Sequence, residues 1–188
     1  DRNILFLPDL DMPVFEHLTI DSFTNNQRLK ALDAITNPST ENPPLIVASL
    51  SAVIRKTMSY DKFRASSYQI RVGEKVTISD LTSWWSSIGY KNEPLVETPG
   101  SFSRRGGIID IFPPNSSLPA RLDMIGNEIE SIHLFEPLTQ RSVENIDTIR
   151  IIPALEILPT HTDAIRINTA LANLNFSNCS LQIKQQIY

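Results

Sequence analysis

Pro99-Gly100-Ser101-Phe102-Ser103-Arg104-Arg105-Gly106-Gly107-Ile108-Ile109-Asp110-Ile111-Phe112-Pro113 decides the fold of the middle of this chain. Pro99-Gly100 and Gly106-Gly107 are turn punctuation, Ile108 to Phe112 reads as a strand, and Pro113-Pro114-Asn115 breaks it. Downstream, Arg121 to Ile125 and Glu128 to Phe135 flank Gly126-Asn127, a two-residue hairpin signal in which glycine supplies the positive φ that primed turns need. One more strand, Ile149 to Ile152, stops at Pro153. Upstream, Tyr68 to Val72 alternates like a half-buried strand and Gly73 turns it. Ser79 is placed to cap a helix in which Leu81, Trp84, Trp85 and Ile88 share one face, with Gly89 as its left-handed stop. Tryptophans at that spacing are core anchors. Residues 67–153 therefore read as a small α+β domain.

The first third has a different texture. Ile4 to Leu7 and Leu45 to Ala48 are continuous apolar runs of the kind buried between helices, and Gln27 to Ile35 is a helix with Leu29, Leu32 and Ile35 on one face. A helix through Ala52 to Arg55 follows, so residues 1–66 read as part of an α/β domain. After Pro159 helical spacing returns over Asp163 to Asn175 with Thr162 as cap, and 154–188 is expected to rejoin the first domain. An apolar run within a few residues of the start, and an element beginning at Leu181, mark both ends as cut edges of a longer protein.

Composition narrows the function classes. The formal charge is -4, from 21 acidic and 17 basic side chains without a block of either sign, which gives no argument for broad nucleic-acid binding. The single cysteine, Cys179, excludes an internal disulfide and a four-cysteine zinc site and suits a reducing cytoplasm. No apolar run approaches the ~20 residues of a membrane span.

The usual chemical signatures are missing. The six glycines form neither a phosphate loop nor a dinucleotide fingerprint, so neither nucleotide binding nor a cofactor is expected of these residues. His17, His133 and His161 lack metal-ligand spacing, and no activated nucleophile is recognisable, so neither a metal nor a catalytic residue is expected. Asp110, Asp123, Glu128 and Glu130 could supply an acid/base pair, with Glu128 and Glu130 on one strand face and Asp123 brought near them by antiparallel pairing; the plainer reading is the solvated face of a hairpin. A small hydrolytic enzyme using Asp110 or Asp123 lacks the accompanying constellation. Arg104, Arg105, Arg121 and Arg141 can gather at one end of a small sheet. Arginine's planar fork suits an acidic protein partner, and equally an internal pair with Asp123 or Glu136.

Taken together, the stretch from Pro99 to Pro113 resembles the signature P-G-x-F-x-x-R-G-G-I-I-D-I-F-P, Arg121 to Ile132 is similar to R-[IL]-[ED]-F-F-G-D-E-I-E-S-I, and Phe135-Glu136-Pro137 and Thr139-Gln140-Arg141-Ser142 follow in order. These motifs resemble the UvrB-homology module shared by the excision-repair protein UvrB and the bacterial transcription-repair coupling factor, Mfd. Leu7-Pro8-Asp9-Leu10-Asp11, Gln27-Arg28-Leu29, the Thr139 to Ser142 motif and Ile152-Pro153-Ala154 are more similar to the coupling factor, and the tyrosine-rich damage-engaging hairpin of UvrB has no counterpart. The resemblance covers residues 3 to 158.

It implies an incomplete, degenerate helicase-like (RecA-like) α/β domain interrupted by a small α+β domain that binds UvrA. It implies a role as UvrA-recruiting adaptor in transcription-coupled nucleotide excision repair, in the cytoplasm, without enzymatic activity of its own. RNA polymerase, double-stranded DNA, ATP and magnesium would be engaged by other parts of the full-length protein, and a C-terminal domain would cover the UvrA-binding face until the motor engages. Arg105 matches the family's turn arginine and Arg121 the arginine opening the next strand, both on the UvrA-binding surface. Ile125 stands where many members have phenylalanine, keeping an apolar contact with less area. The alternative within the family is part of a UvrB-like DNA-damage-binding ATPase, whose phosphate loop would precede Asp1.

Overall fold

The computed structural model describes residues 3–10, 22–38, 42–158 and 169. Residues 1–158 gather into one compact unit and 159–188 into another. Thr169 alone is described in the second, so the helix expected over 163–175, its Thr162 cap and Cys179 lie outside the described residues.

The elements run β1 (Ile4–Leu7), α1 (Ser22–Thr36), β2 (Leu45–Ala48), α2 (Leu50–Ile54), α3 (Tyr60–Ala65), β3 (Tyr68–Arg71), α4 (Ile78–Ser87), β4 (Lys91–Asn92), β5 (Ser101–Arg105), β6 (Ile108–Phe112), β7 (Ala120–Ile125), β8 (Glu128–Phe135), β9 (Ser142–Asn145) and β10 (Thr148–Ile151). β1 and β2 pair in parallel, β10 and β3 antiparallel, and β4 to β9 form a six-stranded sheet in sequence order. That sheet is antiparallel except for the short β4–β5 pair. The described residues thus form a mixed α/β structure, dominated by an antiparallel sheet whose short turns join neighbouring strands.

One face of the six-stranded sheet builds the main core. Alternation sends Phe102, Ile109, Ile111, Leu122 and Met124 to that face, where they meet Leu81, Trp85 and Ile88 of α4 and Ile70, Ile149 and Ile151 of the β3–β10 ribbon. Trp85 is wholly buried and packs edge-on to Phe102 at 5.7 Å between ring centroids. A β-bulge between Asp123 and Met124 lets Ile129 and Ile132, three positions apart, both turn inward. The tryptophan stripe is therefore core, as its spacing predicts, with Trp84 only half-buried against Tyr68.

α4 ends as expected. Gly89 has φ +96°, its N–H bonds to Ser86 O at 3.2 Å and the Tyr90 N–H bonds to Trp85 O at 3.0 Å, the paired bonds of a Schellman stop. Its start is corrected from Ser79 to Thr77. Thr77 holds the extended cap geometry, φ −81° and ψ 148°, and its hydroxyl accepts from Asp80 N at 3.1 Å, while Ser79 already lies inside the helix.

Two expectations for the first third are also corrected. β1 and β2 exist, but they are not buried on both faces: Ile4, Phe6, Leu45 and Val47 share one face and are 44% to 55% exposed. α1 packs along β1, and only the other face, with Leu5, Leu7 and Ile46, is half-buried. In α1, Leu29 and Leu32 are buried but Ile35 is 48% exposed. The inward stripe runs through Asn25, Arg28, Leu29, Leu32 and Thr36, so polar side chains occupy three of its helical positions and apolar spacing alone misplaces it.

Thr36 bonds back to Leu32 O within the helix, whereas Asn25 and Arg28 are satisfied by a distant segment. Asn25 Nδ2 donates to Ala154 O at 2.9 Å, and Arg28 donates through Nε and Nη2 to the Glu156 carboxylate at 2.5 and 2.6 Å. Leu29 and Leu32 pack with Phe63 of α3 and Ile152. Asp33 accepts from Arg150 Nε at 2.9 Å and from Asn115 Nδ2 at 3.2 Å. The helix therefore meets β10, the segment after it and the loop between β6 and β7.

Candidate protein-docking site

The second face of the six-stranded sheet is polar at its centre. Ser103, Asp110, Arg121, His133 and Asn145 stand opposite one another in register across β5 to β9. Directly paired residues point to the same side, so one row of five polar side chains crosses the sheet. Two tight turns close one end: Gly106-Gly107 joins β5 to β6, and Gly126-Asn127 joins β7 to β8. Gly106 and Gly126 have φ of +64° and +62°, which glycine adopts without a Cβ penalty.

Asp110 is the hub of this face. Its side chain is 1% exposed, and its carboxylate accepts from Arg121 Nε at 2.7 Å, Arg121 Nη2 at 2.9 Å and Arg105 Nη2 at 2.6 Å. A buried carboxylate without such partners would be strongly disfavoured. Arg121 is held further by Gln140, whose backbone and side-chain oxygens lie 3.4 and 3.3 Å from Nη1 and Nη2, and its guanidinium lies over the Phe135 ring at 4.6 Å. The hydrogen bonds to Asp110 raise the Arg121 pKa above its ordinary value against the opposing effect of burial. Gln140 adopts φ +58°, a left-handed conformation uncommon outside glycine. Its Nε2 donates to Pro137 O at 2.7 Å, which fixes that turn.

The structure places the three residues singled out from sequence on this face, but not equivalently. Arg121 is 18% exposed and largely consumed by Asp110 and Gln140, whereas Arg105 is 50% exposed and bonded through one nitrogen. Ile125 shares the Arg121 side of β7 and is 62% exposed, and Ile108, 38% exposed, stands opposite Asp123 on the neighbouring strand. Arg104 turns away, its Nε 3.5 Å from Gly106 O. The internal pairing considered for the arginines does occur, with Asp110 in place of Asp123 or Glu136 as the carboxylate.

The acid/base grouping does not form. Glu128 pairs opposite Ile125 and Asp123 opposite Ser131, and both Glu128 and Glu130 are exposed. Asp123 instead accepts from Ser131 Oγ at 2.9 Å and lies 3.0 Å from His133 Nε2, while His133 Nδ1 meets Asn145 Oδ1 at 2.7 Å. Serine and carboxylate meet the same ring nitrogen, so the imidazole cannot relay a proton from one to the other as a catalytic triad requires. His17 and His161 lie outside the described residues. Among the described residues, no group of three His, Cys, Asp or Glu side chains could hold a metal, and no helix is long and apolar enough to cross a membrane.

Asp110 and Gln140 are the residues that sequence reasoning undervalued. One signal was available: a lone carboxylate inside Ile-Ile-Asp-Ile-Phe alternates onto a covered face and must find a cation there. Nothing local announces Gln140, whose left-handed backbone is imposed by the turn it closes.

The hairpin turn, the Asp110 clamp and the flanking isoleucines all fall within residues 68–157, which match the UvrB interaction domain family. Over most of its length the chain is similar to the transcription-repair-coupling factor of Bacillus subtilis, at 33% identity over 158 residues, 84% of this chain and 13% of that protein. The factor of Myxococcus xanthus is 33% identical over 167 residues, 89% of this chain and 14% of that protein. The UvrABC system protein B of Thermosipho africanus is 26% identical over 155 residues, 82% of this chain and 23% of that protein. The resemblance read from the motifs is therefore borne out over residues 68–157, and the chain spans about one seventh of the length of the coupling factors it matches.

Proposed function

We propose that this chain is the UvrA-recruiting adaptor part of a transcription-repair coupling factor, acting in transcription-coupled nucleotide excision repair. The match of residues 68–157 to the UvrB interaction domain carries the reading. The docking element is the sheet face that presents Arg105, Arg121 and Ile125 at the end closed by two glycine turns. Its chemistry suits a protein partner: exposed isoleucines supply apolar area and a half-exposed arginine supplies a directional donor for an acidic side chain. Residues 67–153 form the small docking domain on this reading. Residues 1–66 and 154–188 belong to an incomplete, degenerate helicase-like α/β domain, supported by the parallel β1–β2 pair joined through α1 and by the Arg28–Glu156 tie.

The docking role needs no cofactor or catalytic residue. RNA polymerase, double-stranded DNA, ATP and magnesium belong to the remainder of the whole protein, a cytoplasmic translocase. The test is a titration of UvrA with the folded chain and its Arg105→Glu, Arg121→Glu double variant. Charge reversal should weaken binding by about 2–4 kcal/mol, and full affinity in the folded double variant would overturn the assignment. The similarity to a UvrABC system protein B supports a second reading, part of a UvrB-like damage-binding ATPase, which ATP hydrolysis and damaged-DNA binding by the whole protein would distinguish.

A further inference from the structure

We propose that Asp110 is the positioning residue of the docking face: it holds Arg105 in its partner-binding orientation, so that the remaining donors of Arg105 select a carboxylate on the partner. This rests on the docking role proposed above. One buried carboxylate is shared by two guanidinium groups, and Asp123, on the same face of β7, also acts electrostatically on Arg121. Arg121 directs four hydrogen bonds at Asp110 and Gln140 and stacks on Phe135, so most of its donor capacity is spent inside the domain. The Arg105 side chain makes one hydrogen bond among the described residues, from Nη2 to Asp110, and half of it is open. The open donors are therefore presented by Arg105, while Arg121 anchors the carboxylate that holds it.

Position follows from the same contacts. An unrestrained arginine on a hairpin end samples many rotamers and loses that freedom when it binds. The Asp110 bond restricts Arg105 before any partner arrives. Asp110 itself is 1% exposed and lies beneath the two arginines, so an incoming carboxylate meets Arg105 from solvent without displacing it. Gln140 stiffens the base of the arrangement, since its left-handed backbone sets both of its oxygens toward Arg121.

The experiment is a double-variant cycle on the 188-residue chain with UvrA as the probe, read by titration calorimetry. Asp110→Asn keeps the shape and removes the charge, and should lower UvrA affinity about tenfold. In an Arg105→Gln background the same change should matter less than about twofold, because a residue acting through Arg105 has nothing left to position. Arg105→Gln should also flatten the dependence of affinity on salt. Equal losses from Asp110→Asn in both backgrounds, or unchanged or tighter binding by folded Asp110→Asn, would overturn the proposal. If Asp110→Asn does not fold, side-chain ¹⁵N relaxation of Arg105 in the unaltered chain decides: an order parameter near that of the rigid backbone, about 0.85, supports the clamp, and one below about 0.6 refutes it. The outcomes separate the two claims. Failure of the unaltered chain to bind UvrA sinks the docking role, whereas loss of binding in Arg105→Glu with full binding in Asp110→Asn sinks only the role of Asp110.

Discussion

Arg28 and Glu156, 128 positions apart in the chain, meet in a two-pronged ion pair at 2.5 and 2.6 Å, with side chains 1% and 6% exposed. The third arm of the guanidinium reaches Pro8 O at 2.6 Å. The bonds to Glu156 raise the Arg28 pKa above its ordinary value despite burial. Removing either partner strands a buried charge. Arg28→Met and Glu156→Gln should each cost about 3–5 kcal/mol in urea unfolding, and the double change to apolar residues should recover much of that loss. Single variants as stable as the unaltered chain would show that the pair contributes nothing.

Ile125 offers a gain-of-binding test of the docking face. It is 62% exposed, on the Arg121 side of β7, and carries less area than an aromatic ring. Ile125→Phe should tighten UvrA binding by about 0.5–1.5 kcal/mol, roughly twofold to tenfold, with no loss of folding stability. Ile125→Asp should weaken it. Calorimetric titrations that leave both variants at the original affinity would remove Ile125 from the interface.

Gly89 carries two constraints at once. Its φ of +96° disfavours any side chain, and a Cβ built there would lie 2.7 Å from Leu155 Cγ. Gly89→Ala should therefore destabilise the chain by at least the ~1–2 kcal/mol of a left-handed residue, with a further loss as Leu155 shifts. A thermal midpoint equal to that of the parent would contradict the close approach.

Tyr90 should make stability fall at alkaline pH. Burial, assisted by the nearby charge of Asp33, pushes its phenol well above the usual value near 10, and its hydroxyl donates to Ile152 O at 2.9 Å. Below that value folded and unfolded chains both keep the proton, so its contribution is fully present. Above about 10 the unfolded chain releases the proton first, binds fewer protons than the native state, and stability declines as pH rises. Urea midpoints between about pH 9 and 11 should fall more steeply for the unaltered chain than for Tyr90→Phe. Parallel pH dependences would rule out Tyr90 as the cause.

By itself the sequence determined the elements whose signals are local. Gly89 and Gly126 mark a helix stop and a hairpin turn because each needs a positive φ, and Leu81, Trp85 and Ile88 declare a buried helical face by spacing alone. Its ordered motifs also named the family. Tertiary structure alone decided how polar side chains are spent. Arg28 looks like an ordinary surface residue until Glu156 arrives from the far end of the chain, and its burial is why the exposed Ile35 could not be foreseen. The difference between Arg105 and Arg121 is equally invisible locally: Arg105 closes β5 and Arg121 lies at the start of β7, yet cross-strand register sets Arg121 directly opposite Asp110 and Arg105 opposite Ile108, beside the turn. Periodicity reports which face a side chain takes, whereas the partner of a buried charge depends on register and on contacts distant in the chain.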